Sequence, residues 1–101
     1  MEPWYKALED EDLQFIKRLV LASGSLKELA HGYGVSYPTI RLRLDRLIEK
    51  LKVLDRSDIQ DEFERLLRAS YAEGKLEKST FQTLLAAYEA ARHKTVTGGT
   101  R

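Results

Sequence analysis

Three residues, Ala30, Gly34 and Ile40, set the tightest limit on what this chain folds into. The small Ala30 lies four positions before the glycine, and the β-branched Ile40 lies six after it. Two helices meeting at a steep angle need this arrangement. The first must approach the second closely, which alanine permits and a larger side chain obstructs. The turn needs a backbone angle that glycine adopts without steric cost. The branched side chain then wedges the second helix against the first. The spacing predicts a helix-turn-helix, with Val35 after the glycine as a buried plug.

Local signals around this unit point the same way. Ser25-Leu26-Lys27-Glu28 has capping-box spacing, a hydroxyl at the cap and a carboxylate three residues on. It predicts a helix with Leu26, Leu29 and Ala30 inward, ending in His31-Gly32-Tyr33-Gly34. Gly32-x-Gly34 follows a helix and not a strand, so it reads as a turn rather than a nucleotide loop. Ser36 is a natural cap for the next helix. Pro38 is tolerated in the first turn, where its missing N–H has no intrahelical partner. Ile40, Leu44, Leu47, Ile48 and Leu51 form an apolar stripe that carries this helix to Lys52 or Leu54.

Upstream, Leu13, Ile16, Leu19 and Val20 predict a helix from about Glu9 to Ala22, with Phe15 on one flank. The acids Glu9 to Asp12 suit its positive end, and Ser23-Gly24 is a stop. Trp4, Tyr5 and Leu8 are expected to fold over the core as a lid. Downstream, Ser57-Asp58-Ile59-Gln60 and Ser79-Thr80-Phe81-Gln82 repeat the capping-box spacing. Ile59, Phe63, Leu66, Leu67, Ser70 and Tyr71 make the face of a fourth helix ending at Gly74. Phe81, Leu84, Leu85 and Tyr88 make that of a fifth, running to about Arg92.

The expected fold is therefore all-α. A three-helix helix-turn-helix core occupies residues 1–54, a helical hairpin residues 55–94, and a disordered tail residues 95–101. A two-helix hairpin buries its own faces poorly. It must dock on the first three helices or pair with a second copy. A homodimer is the favoured outcome, because helix-turn-helix proteins usually bind as symmetric dimers and pairing explains how a weakly basic unit gains affinity.

Composition narrows the function. There is no cysteine, so disulfides and cysteine-ligated zinc are excluded. Met1-Glu2-Pro3-Trp4 has no basic region followed by an apolar run, and no stretch is long enough to span a bilayer. A cytoplasmic protein with no membrane partner is expected. The two histidines, His31 and His93, share no metal-ligand spacing. No nucleophile, base and orienting group can be named together, so the chain is not expected to be an enzyme, and neither cofactor nor small-molecule ligand is evident.

Charge is unevenly placed. The whole chain carries +1, but residues 25–53 hold six bases (Lys27, Arg41, Arg43, Arg46, Lys50, Lys52) against three acids (Glu28, Asp45, Glu49). Only this segment suits a polyanion. In a helix-turn-helix, Ser36, Tyr37, Thr39 and Arg41 stand at the start of the groove-facing surface. Arg41 suits guanine or a phosphate. Thr39, Arg43, Arg46 and Lys50 share a neighbouring flank that suits phosphates, and Lys27 is placed to touch the backbone. Leu42 and Asp45 share the outward face with Arg41, and an aspartate there repels phosphate. Two functions follow: double-stranded DNA binding by a small transcriptional regulator, or a protein–protein adaptor that uses the same fold without DNA.

The run from Gly34 to Asp45, Gly-Val-Ser-Tyr-Pro-Thr-Ile-Arg-Leu-Arg-Leu-Asp, resembles the helix-turn-helix of a family of small uncharacterised bacterial proteins. Their recognition helix starts Ser-Tyr-Pro-Thr, as Ser36 to Thr39 do here. Trp4, the acidic stretch before Phe15-Ile16, and Leu26-Lys27-Glu28-Leu29 resemble the same family. The likeness covers about Trp4 to Lys52. It implies a regulator of transcription. Family members often carry a cysteine-rich zinc ribbon ahead of this unit, which this sequence lacks. The unit is more weakly similar to the promoter-reading domain of sigma factors.

Overall fold

Capping chemistry and glycine angles place the helix ends, and packing against one central helix does the rest. The computed structural model describes residues 3–55 and 61–99. A 3-10 turn, Trp4–Ala7, leads into α1 (Asp10–Leu21), α2 (Leu26–Tyr33), α3 (Tyr37–Asp55), α4 (Glu62–Ala72) and α5 (Lys78–Gly99). Every regular element among the described residues is helical. The fold is all-α, as the periodicities predict.

The first three helices stop where the sequence signals say. The Glu9 backbone N–H donates to the Asp12 carboxylate at 3.2 Å, satisfying a group at the start of α1. The Ser25 hydroxyl accepts from the Glu28 N–H at 3.2 Å and opens α2. Gly34 closes α2 with φ +68°, a left-handed angle that an L side chain resists. The Ser36 hydroxyl then accepts from the Thr39 N–H at 3.3 Å and starts α3. The second capping box falls on residues 57–60, outside the described residues. The Asp61 carboxylate caps α4, accepting from Phe63 and Glu64 at 2.8 and 3.1 Å. Ser79 does not cap α5. The helix begins at Lys78, with the Glu77 carbonyl accepting from the Phe81 N–H. At its far end α5 continues to Gly99 instead of giving way to a tail at Thr95. No proline interrupts it, and each added residue of a formed helix brings its own hydrogen bond.

Two apolar clusters hold the molecule. Leu8, Phe15, Leu29, Ala30, Ile40 and Leu47 bury the helix-turn-helix core. Leu67, Tyr71 and Phe81 bury the hairpin core, with Leu42 of α3 packed against it. Tyr71 and Phe81 stack with centroids 4.3 Å apart. The hairpin thus docks on α3 of its own chain.

Most of the predicted inward residues line the core, among them Ile16, Leu19, Leu26, Leu29, Ala30, Ile40, Leu44, Leu47 and Leu51, and the differences fall at the borders of the stripes. Phe15, not Leu13 or Val20, is the buried residue of α1. Val35 is exposed rather than a buried plug, and Ile48 of the α3 stripe and Phe63, Leu66 and Leu84 of the hairpin faces are exposed too. Of the expected lid only Leu8 enters the core. Trp4 and Tyr5 lie exposed with their rings edge to face. Aromatic and aliphatic residues on the border of a stripe fit either side, and only the neighbouring helix decides which is covered.

Ile40 is the wedge between α2 and α3 and is almost wholly buried. Replacing it with alanine is expected to cost about 2–5 kcal/mol of stability, read from urea denaturation followed by circular dichroism. A loss below about 1 kcal/mol would contradict the wedge, since a buried aliphatic truncation ordinarily costs more.

Candidate nucleic-acid interface

The open end of α3 is built by its cap. Ser36 accepts from the Thr39 N–H, and its hydroxyl donates to Thr39 Oγ1 at 2.9 Å, so both hydroxyls sit over the first turn. Tyr37 and Pro38 stand exposed beside them. Arg41 follows one turn on, its side chain half exposed and its Nε 3.3 Å from Asp45 Oδ1. Lys27 is exposed in the first turn of α2. Lys27, Ser36, Tyr37, Thr39 and Arg41 are accordingly open to solvent, as expected of them.

The expected basic flank is tied to neighbouring helices. Arg43 donates to the Glu11 carbonyl at 3.4 Å, and its guanidinium lies 4.8 Å from the Phe15 ring centroid and 5.4 Å from that of Tyr33. Arg46 donates to the Tyr71 carbonyl and lies 4.7 Å over the Tyr71 ring. Lys50 pairs with Asp12 at 2.6 Å. These three cations join α3 to α1 and α4 instead of facing outward. Periodicity placed them on one flank but carries no information about which element covers it. With Thr39 and Leu42 they line an open cleft of about 600 Å³ whose acids, Glu9, Asp12 and Glu73, match their charge one for one.

The outward face of α3, opposite Ile40, Leu44 and Leu47, is covered by the hairpin. Leu42 packs into its core. Arg68 of α4 lies buried between two carboxylates, 2.8 Å from Glu49 and 2.9 Å from Glu64. Burial by itself works against the Arg68 charge, but the bonds to Glu49 and Glu64 outweigh it and raise the pKa. Arg65 donates to the Val53 carbonyl at 2.9 Å. Lys78 of α5 meets Asp45 at 2.8 Å.

What remains of α3 is the other flank, where Arg41, Ile48 and Lys52 are grouped beside Lys78 and Gln82 of α5. Sequence reasoning did not single out Lys52 or Lys78 as a candidate contact. Lys52 lies eleven residues, three helical turns, after Arg41, so its face was readable from spacing. Nothing in the sequence points to Lys78, whose position depends on how the hairpin docks.

With this geometry in place, comparison with known proteins adds one finding. A family model described as "Domain of unknown function (DUF2089)-HTH" matches residues 8–54. The match ends with α3 and leaves the hairpin outside it. The N-terminal half is thus similar to an uncharacterised helix-turn-helix family. No curated protein matches the chain. No solved structure matches it either. Among the described residues, no helix is long and apolar enough to cross a membrane, and no group of three histidine, aspartate or glutamate residues is placed to hold a metal ion.

The two kinds of cation separate by stability. Arg46→Ala leaves the Tyr71 carbonyl without its donor and is expected to cost about 1–3 kcal/mol. Arg41→Ala, at a half-exposed site, is expected to change stability by no more than about 0.5 kcal/mol. Urea midpoints of the two variants check this, and equal losses would contradict the division.

Proposed function

We propose that this chain is a small cytoplasmic regulator of transcription that contacts duplex DNA through the N-terminal end of α3. One observation carries the reading. Ser36, Tyr37, Thr39 and Arg41 are exposed at the cap and first turns of the second helix of a helix-turn-helix. In this class of proteins the N-terminal residues of that helix meet the base edges. Arg41 suits a guanine edge or a phosphate. The backbone N–H groups at the start of α3 favour an anion, with Ser36 and Thr39 beside them. Lys27 on α2 suits a neighbouring phosphate.

The contact surface is small, so affinity grows with a second copy. Phe63, Leu66 and Leu84 are exposed apolar residues of α4 and α5 and support pairing through the hairpin. Sedimentation equilibrium at tens of micromolar is expected to return the dimer mass. A monomer mass would end that part of the proposal.

A second reading is favoured by the covered face of α3. Leu42, Asp45 and Glu49 suit the hairpin and not phosphates. A helix-turn-helix with that face occupied serves equally as an adaptor that meets a protein partner.

Duplex binding measured at about 50 and 200 mM salt separates the two, because phosphate contacts release counterions and make affinity fall steeply with salt. Arg41→Ala with Lys27→Ala is expected to weaken binding and flatten the slope of log K against log salt by about one per residue. Absence of binding at the lower salt would leave the adaptor.

A further inference from the structure

The geometry points to the open flank of α3, running from Arg41 at the helix end to Lys52 and completed by Lys78 of α5, as a track for the phosphate backbone of duplex DNA. The inference rests on the DNA reading above and extends it to residues outside the helix-turn-helix.

The flank is a shallow groove of about 300 Å³ between α3 and α5. Its rim carries three cations. The side chains of Arg41, Lys52 and Lys78 are 49%, 41% and 46% exposed. The acids among them are sunk below the rim, Asp45 at 15% and Glu49 at 12%. Those acids are already engaged. Asp45 takes both Arg41 at 3.3 Å and Lys78 at 2.8 Å. Glu49 takes buried Arg68 at 2.8 Å, with Lys52 further off at 3.7 Å. An approaching anion therefore meets protruding positive charge before it meets the carboxylates. The opposite flank differs, since Arg43 and Arg46 are bonded to the Glu11 and Tyr71 carbonyls and lie against aromatic rings, and Lys50 is paired with Asp12 and is 30% exposed.

Spacing fits the same partner. Arg41 and Lys52 are eleven residues apart on one helix, which is about 16 Å along the axis. A duplex strand presents a charge about every 3.4 Å along its axis, so the track spans several phosphates. Tyr71 lines the floor but is only 2% exposed, so phosphate contacts fall to the rim. Gln82 on α5 adds an amide to the rim. Phosphate oxygens accept from Arg41, Lys52, Lys78 and Gln82 alike, and no base-specific arrangement is required of them.

The test is a salt titration of duplex binding by the full chain and by Lys52→Gln and Lys78→Gln. Each substitution is expected to flatten the log K against log salt slope by about 0.9, equivalent to up to roughly eightfold weaker binding at 0.1 M salt. The loss should be alike for unrelated duplex sequences. Asp45→Asn, which frees Arg41 and Lys78, is expected to tighten binding. If Arg41→Ala weakens binding while both lysine variants keep the wild-type slope, the track is wrong and the helix-end reading stands. A lysine variant that changes the melting temperature but not the slope also overturns it, because the lysine is then structural only. If the wild-type chain binds no duplex at low salt, both fall.

Discussion

A helix packed on two opposite sides has only its flanks and its ends left for other work, and α3 is such a helix. One side carries Ile40 and Leu47 into the core with α1 and α2. The other meets the hairpin through Leu42, Glu49 and Asp45. The two contacts differ in kind. The first is apolar and close, set by Ala30 and Ile40. The second rests on one leucine and a set of charged bonds. Buried Arg68 requires Glu49 of α3 and Glu64 of α4 together, since a buried cation left without its partners is costly. That requirement ties α4 to one position along α3.

This two-sided packing reassigns the charges of the basic segment. Arg43, Arg46 and Lys50 hold α3 to its neighbours. Arg41 and Lys52 remain at the surface. The hairpin covers one face of α3 and returns a cation, Lys78, to the flank beside it. The surface open to a polyanion is therefore one end and one flank of the helix, drawn from both halves of the chain. Counting bases by segment sees the total, but the sign presented to solvent depends on which carboxylates lie below the rim.

Much of the fold was legible in the residues. Ser25, Gly34 and Ser36 act within a few positions of themselves, through a cap bond or a backbone angle, and each does what its type and place predict. Border positions were not legible. Val20, Ile48, Phe63 and Leu66 lie at the edge of their stripes and stay exposed, while Phe15, expected on a flank, is fully buried. A periodicity gives the direction of a stripe to within about one residue, because successive residues turn by only part of a circle.

The sequence by itself determined an all-helical chain, the glycine-closed turn, and the caps that start α2 and α3. All of these follow from interactions reaching no more than about one helical turn. Only the tertiary structure decided that the hairpin lies on the outward face of α3, that Arg43, Arg46 and Lys50 bond to α1 and α4, that the helix end at Ser36 to Arg41 stays exposed, and that Lys78 stands beside Arg41. Those outcomes depend on contacts between residues far apart in the chain, such as Arg68 with Glu49 and Lys78 with Asp45. Charge and helical phase say that such residues can pair, but the choice among partners is made only when the helices pack.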